Sequence, residues 1–199
     1  MPSPKRKLFN ACVIDIEATS LDAVGAGVLL MAVIKPLNDK PKVFRVDRTG
    51  DELGQERNLL KKIFLELEKY EFVIGHNIAK FDMPFLKTRA MLLGVPFPHR
   101  PLIYDTLQAF KRTEYRTVLN GFGKPSAGLD MVIDLFGNKQ RKTKIYPRHH
   151  WEIIWGSPSD KSVAMNDLVE HCVSDVIMNE EIFLPILHGD PNPTIKRMK

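Results

Sequence analysis

The 199-residue sequence holds only two cysteines, Cys12 and Cys172. Two thiols build neither a disulfide framework nor a zinc site. An intracellular, cytoplasmic location is therefore expected, with both thiols as small core residues. No apolar run reaches the roughly 20 residues that a membrane helix needs. The stretch Val24–Ile34 is too short to span and carries Gly25, Ala26 and Gly27. It reads as a buried strand, and no membrane association is expected. The basic Met1–Lys7 is not followed by a signal-type apolar region and cleavage site. Internal repeats, low-complexity tracts and long Gly/Ser linkers are also missing. One domain over 1–199 is the expectation, with a core at about 8–188 and basic tails at both ends.

The hydrophobic share of 44% and charged share of 27% are ordinary for a globular chain. The net charge of +5 suits a polyanionic partner, the more so if several acids face bound cations. Taken alone, it equally fits a solvated basic surface.

Residues 8–17 read as a strand built on Val13, Ile14 and Ile16. A second apolar run covers 26–35 and a third Val43–Val46, joined by the turn-rich Pro36–Lys40. Leu59, Leu60, Ile63, Phe64 and Leu67 space a helix over Glu56–Tyr70. Phe72–Gly75 and Leu102–Asp105 are short strands, Ala79–Leu93 and Ala127–Phe136 helices, and Ser162–Leu187 the last long helix, with Val163, Leu168, Val169, Cys172, Val173, Val176 and Ile177 as its apolar face. The segment Asn138–Tyr146 is a basic loop, and the residues after Pro191 form a loose basic tail. Strands first, then alternating helices and strands, argue for an α/β domain with a mixed sheet.

Three short segments carry chemistry. Asp15-Ile16-Glu17 ends an apolar strand, where residues i and i+2 share a face. Two carboxylates side by side repel, and a divalent cation removes that cost. The bland alternative is a strand end with two solvated acids. In Gly75-His76-Asn77-Ile78-Ala79-Lys80-Phe81-Asp82, a strand, a glycine turn and a helix bring Asp82 to the helix's first turn. The rival there is an acid stabilised by the helix dipole. On the last helix His171 and Asp175 are i and i+4 and share a face, which an ordinary exposed pair would also explain.

Together these segments resemble the three exonuclease motifs of the DEDD superfamily. The resemblance is to the proofreading domain of family-B DNA polymerases. "GHNIAKFDMPFL" is the strongest match, and "SAGLDMVIDLFG" resembles the stretch between the second and third motifs. The motifs run in order over roughly residues 10–185. The resemblance implies a ribonuclease-H-like α/β fold, a five-stranded mixed sheet flanked by helices, with the motifs converging at one end of the sheet. It implies two divalent cations, Mg2+ or Mn2+, held by Asp15, Glu17, Asp82 and Asp175. Asp15 would bridge both, Glu17 and Asp82 would complete one site or hold its waters, and Asp175 would hold the cation that positions the attacking water. Oxygen donors with open positions favour those ions over zinc. The implied activity is hydrolysis of single-stranded DNA or RNA from the 3′ end. Association with replication or repair proteins would fit the same likeness.

The chain departs from the pattern twice. The first motif commonly reads Asp-x-Glu-Thr-Thr-Gly, and here it is Asp15-Ile16-Glu17-Ala18-Thr19-Ser20. Thr19 and Leu21 would still seat the terminal nucleotide, and Asn77 belongs to the second motif. One branch of the superfamily has Tyr four residues before the last Asp, the other His five residues before it. This chain has His171 at the Tyr spacing, with Glu170 at the other branch's His place. A step of one residue is about 100° of helix rotation, so the two are not interchangeable. Either His171 orients or deprotonates the water, or nothing fills that role and the enzyme is slow. Lys139, Arg141, Lys142 and Lys144 are expected to contact phosphates.

Asp105 reads as a helix N-cap at least as readily as a ligand. His76, His99, His149 and His150 receive structural readings, and Trp151 and Trp155 read as core or edge packing. Two alternatives remain: a catalytically weak or inactive ribonuclease-H-like module that binds nucleic acid, and an enzyme acting on a phosphorylated small molecule. Four clustered acids argue against the first and the basic charge against the second.

Overall fold

A computed structural model of the chain describes residues 10–46, 52–97, 102–111, 128–135, 143, 145, 147–189 and 196–197. The elements run β1 (Ala11–Ala18), β2 (Leu29–Pro36), β3 (Lys42–Arg45), α1 (Glu52–Leu67), β4 (Phe72–Gly75), α2 (Asp82–Leu92), β5 (Leu102–Asp105), α3 (Thr106–Phe110), α4 (Leu129–Leu135), α5 (Pro147–Trp155), α6 (Pro158–Gly189) and the two-residue β6 (Lys196–Arg197).

The sheet order is β3-β2-β1-β4-β5-β6. β1–β2 and β2–β3 pair antiparallel, β1–β4 and β4–β5 parallel. This is the expected five-stranded mixed sheet, with β6 added antiparallel at the β5 edge. The tail was expected to be loose, but Lys196 and Arg197 meet Ile103 and Leu102 in register. The unpaired backbone edge of β5 accounts for this, because any nearby extended segment can complete its ladder.

Alternation along β1 sorts the core into two layers. Cys12, Ile14 and Ile16 face Leu59, Leu60, Ile63 and Phe64 of α1 and Leu86 of α2. Val13, with Met31 and Val33 of β2, faces Leu168, Cys172 and Val176 of α6 and Ile133 of α4. Both cysteines are buried and unbridged, as read from the sequence. Asp15 and Glu17 continue the α6 face past the point where apolar packing stops, since i and i+2 point the same way.

The expected elements are present with shifted ends. β2 begins at Leu29 because Ser20–Val28 is a loop pinned by Thr19, whose hydroxyl donates to the Ala26 carbonyl (2.7 Å) and accepts from the Val28 N–H (2.8 Å). That loop is also bolted to the helices. The Arg89 guanidinium donates to both oxygens of Glu56 (2.7 and 2.5 Å) and to the Ala23 carbonyl (3.1 Å), while Glu56 accepts the Leu29 N–H (2.9 Å). Both side chains are buried, where leaving either charge unpaired costs about 3–5 kcal/mol.

Two helices escaped the sequence reading. α3 is a single short turn run, and α5 starts at Pro147, a residue suited to a first turn. Val163 was assigned to the buried face of α6 but is exposed, as is Trp155, which therefore does not pack in the core. The backbone of Trp151 lies in α5. Among the described residues no helix is long and apolar enough to cross a membrane.

Candidate active site

The parallel pairing of β1 with β4 ends at Val13–Ile74, whereas β1 itself runs on to Ala18. The overhang from Ile14 onward leaves backbone groups open on the β4 side. There β4 ends in Gly75, where a Cβ would lie 2.7 Å from the Ile78 Cβ and 3.2 Å from the Ile14 carbonyl, so the close approach needs glycine. Asn77 then takes a left-handed φ of 68°, a conformation Asn tolerates better than most residues. Asp105 holds this turn. It accepts the N–H of Asn77 on Oδ1 (3.0 Å) and of Ala79 on Oδ2 (3.1 Å), and caps α3 through the Gln108 N–H (3.3 Å). Its carboxylate is thus committed to backbone, in line with the N-cap reading.

The turn delivers Asp82 as the first residue of α2, 3% exposed, against the β1 overhang. Burial pushes its carboxyl up to about 7; its own N–H and that of Ile16 oppose the shift, and the charges of Asp105 and Glu17 add to it. Asp15, partly buried, is raised well above the ordinary carboxylate range, first by burial and then by the charges of Asp82, Glu17 and Asp175. The four acids expected from the sequence are therefore electrostatic neighbours, gathered from β1, α2 and α6.

α6 docks on β1 through Cys172, whose thiol donates to the Asp15 carbonyl at 3.3 Å. The same rotation turns the neighbouring His171 and Asp175 inward, both buried, and Glu170 out to solvent. The position one residue earlier is thus unavailable to the site, and His171 occupies the inward place. Its Nδ1 lies 2.8 Å from the Thr143 carbonyl and 3.0 Å from the Thr143 hydroxyl. A carbonyl only accepts, so Nδ1 carries the hydrogen and Nε2 presents its other side to Glu17 Oε1 (3.8 Å) and Asp175 Oδ2 (3.7 Å). Both distances exceed a direct hydrogen bond.

His150, assigned only a structural role from sequence, also reaches the site. Its Nε2 lies 3.3 Å from Glu17 Oε2. Its position after the basic loop was the one available signal. His149 is buried with Nε2 3.7 Å from Asp167, and His76 Nδ1 bonds the Thr106 hydroxyl (3.1 Å), so both keep structural roles. Thr106 in turn donates to Asn179 Oδ1 (2.9 Å), one turn beyond Asp175 on α6.

Leu21 stands at the loop tip, 82% exposed. The hydroxyl and N–H of Thr19 are used within that loop. Lys139, Arg141, Lys142, Lys144 and His99 lie outside the described residues.

Among the described residues no three His, Cys, Asp or Glu groups are drawn together closely enough to hold a metal ion. The donor chemistry nonetheless fits a hard divalent cation: all four groups are carboxylates, and Asp15 and Asp82 are raised first by burial and then by neighbouring negative charges, a repulsion that a cation would relieve.

A family model for the DNA polymerase family B exonuclease domain matches residues 30–146. The chain belongs to that family. Its match takes in Asp82 and Asp105 but not Asp15, Glu17, His171 or Asp175, whose grouping comes from the coordinates. The structure of the family B DNA polymerase from the hyperthermophilic archaeon Pyrobaculum calidifontis superimposes with a TM-score of 0.60 at 21% identity over 90% of this chain. The chain spans 25% of that polymerase's length, and the likeness is one of fold. The ribonuclease-H-like architecture expected from sequence is thereby established. No curated protein sequence matches the chain. Membership places it among nucleases that act on nucleic acid and generally depend on divalent cations.

Proposed function

We propose that the chain is a two-metal-dependent 3′→5′ exonuclease that hydrolyses single-stranded DNA or RNA, working as one domain over 1–199. The reading rests above all on one observation: in a chain of the exonuclease family, His171 Nε2 lies 3.8 Å from Glu17 Oε1 and 3.7 Å from Asp175 Oδ2, which brings an acid of β1 and an acid of α6 to one place. Asp15, Glu17, Asp82 and Asp175 would hold two cations, Mg2+ or Mn2+. When bound, such cations supply Lewis-acid stabilisation of the charge on the attacking and leaving oxygens.

The chain's own groups do the rest. His171 faces the gap between Glu17 and Asp175 with Nε2 free to orient a water or take its proton, its tautomer fixed by Thr143. Leu21 packs on the terminal base, and Thr19 and Asn77 shape the loops on either side of it. Lys139, Arg141, Lys142 and Lys144 contact phosphates. The enzyme acts inside the cell, in the cytoplasm, with replication or repair proteins as its natural associates.

One observation favours a second reading, a nucleic-acid-binding module without turnover: no three donors converge among the described residues. Chelation separates the two. Hydrolysis of a labelled single strand should stop in chelator and return with Mg2+ or Mn2+, for DNA, RNA or both. Strand binding with no cleavage under any divalent ion would select the binding module.

A further inference from the structure

The contacts of Glu17 are divided unequally. Oε2 lies 3.3 Å from His150 Nε2, within hydrogen-bond reach, whereas Oε1 is 3.8 Å from His171 Nε2, which itself lies 3.7 Å from Asp175 Oδ2. His150 and Glu17 are mostly enclosed, with 18% and 15% of their side chains exposed. A glutamate on a strand end has three side-chain torsions, the last of them soft, and its carboxylate would otherwise turn readily. One imidazole N–H on Oε2 fixes the plane and leaves Oε1 as the outward donor. An outer partner that orients a ligand in this way is a common need of metal centres.

We propose that His150 is a positioning residue for Glu17, as Thr143 is for the neighbouring His171. Thr143 fixes His171 through Nδ1, and His150 fixes Glu17 through Oε2. The two supports come from one stretch of chain, ending on α5. His150 thus acts through Glu17 on cation affinity and contacts no substrate. This rests on the reading of Glu17 as a cation ligand.

The test uses the full chain and three proteins: parent, His150→Phe, which keeps the ring but cannot donate, and His150→Gln, whose amide can. Mn2+ binding is titrated calorimetrically, and affinity for a labelled single strand is measured in chelator. His150→Phe should lose roughly ten- to a hundredfold in Mn2+ affinity. His150→Gln should recover part of that loss, and strand affinity in chelator should stay within twofold for all three. The kcat should fall with the Mn2+ affinity while KM for the strand holds. Unchanged Mn2+ affinity in His150→Phe overturns the proposal. So does a fall in strand affinity, which would make His150 a substrate contact, and so does equal loss in the Gln and Phe variants. A parent that binds no Mn2+ at all overturns the four-carboxylate reading itself, so the two failures are distinguishable.

Discussion

Replacing Asp15 with Asn should abolish hydrolysis and, in chelator, raise the melting temperature. The activity loss follows from the position of Asp15 among the other three acids. As a proposed cation ligand, Asp15 would underlie several kcal/mol of transition-state stabilisation, so roughly a thousandfold or more should be lost. The stability gain has a separate cause. A carboxyl whose folded pKa exceeds its unfolded one ionises later in the folded chain. Above the ordinary value of 3.8, rising pH therefore favours the unfolded state until the folded group titrates too. Asp15 is raised by burial and by three like charges, and Asp82 reaches about 7. For Asp82 alone that displacement costs on the order of 4 kcal/mol by pH 8 as an upper bound. The parent in chelator should lose stability from pH 5 to pH 8, and Asp15→Asn should lose less. A gap of about 5 °C at pH 8, vanishing near pH 4, is the expected size for a chain of this length. Saturating Mn2+ should stabilise the parent and not the variant. An Asp15→Asn protein that melts lower than the parent in chelator at pH 8 would show that the acids are not a repelling cluster.

His171→Ala should lower kcat by about a hundred- to ten-thousandfold, the usual contribution of a positioned acid–base group. Its Nε2 faces the gap bounded by Glu17 Oε1 and Asp175 Oδ2, and no other described imidazole does. His150 lies on the far oxygen of Glu17. His171→Tyr should keep part of the activity, because a phenol at this place can orient a water though it cannot take its proton near neutral pH. Mn2+ affinity should change little in either variant, which separates His171 from the carboxylates. Near-parental turnover in His171→Ala would leave the water without a protein partner and remove His171 from the site.

How much of this could be read from residues alone follows from the range of each signal. Periodicity is local, so β1, α1 and α6 stood out wherever five or more residues shared one pattern. The i, i+2 and i, i+4 rules put Asp15 beside Glu17 and His171 beside Asp175, because those pairings lie within one element. The choice between positions 170 and 171 was open in sequence. It is decided by tertiary docking: the Cys172 thiol on the Asp15 carbonyl fixes the rotation of α6 and sends Glu170 to solvent. His150 was beyond reach for the same reason, since its partner lies 133 residues away in the chain. Asp105 was legible as a helix N-cap but not as the clasp of the Gly75–Asp82 turn, a contact between residues far apart in sequence. Thr19 resembled a substrate contact by its place after the first motif, and its side chain turns out to pin the loop that carries Leu21.

The measurement that bears most directly on a cation-dependent 3′→5′ exonuclease compares one single strand in two forms, linear with a 5′ label and covalently circularised, each with Mn2+. The linear strand should shorten stepwise from its 3′ end to a ladder of 5′-labelled products, and Asp15→Asn should leave it whole. The circle should persist over the same period. Cleavage of the circle at a comparable rate, or a linear strand that stays intact with the parent protein in saturating Mn2+, would contradict the account.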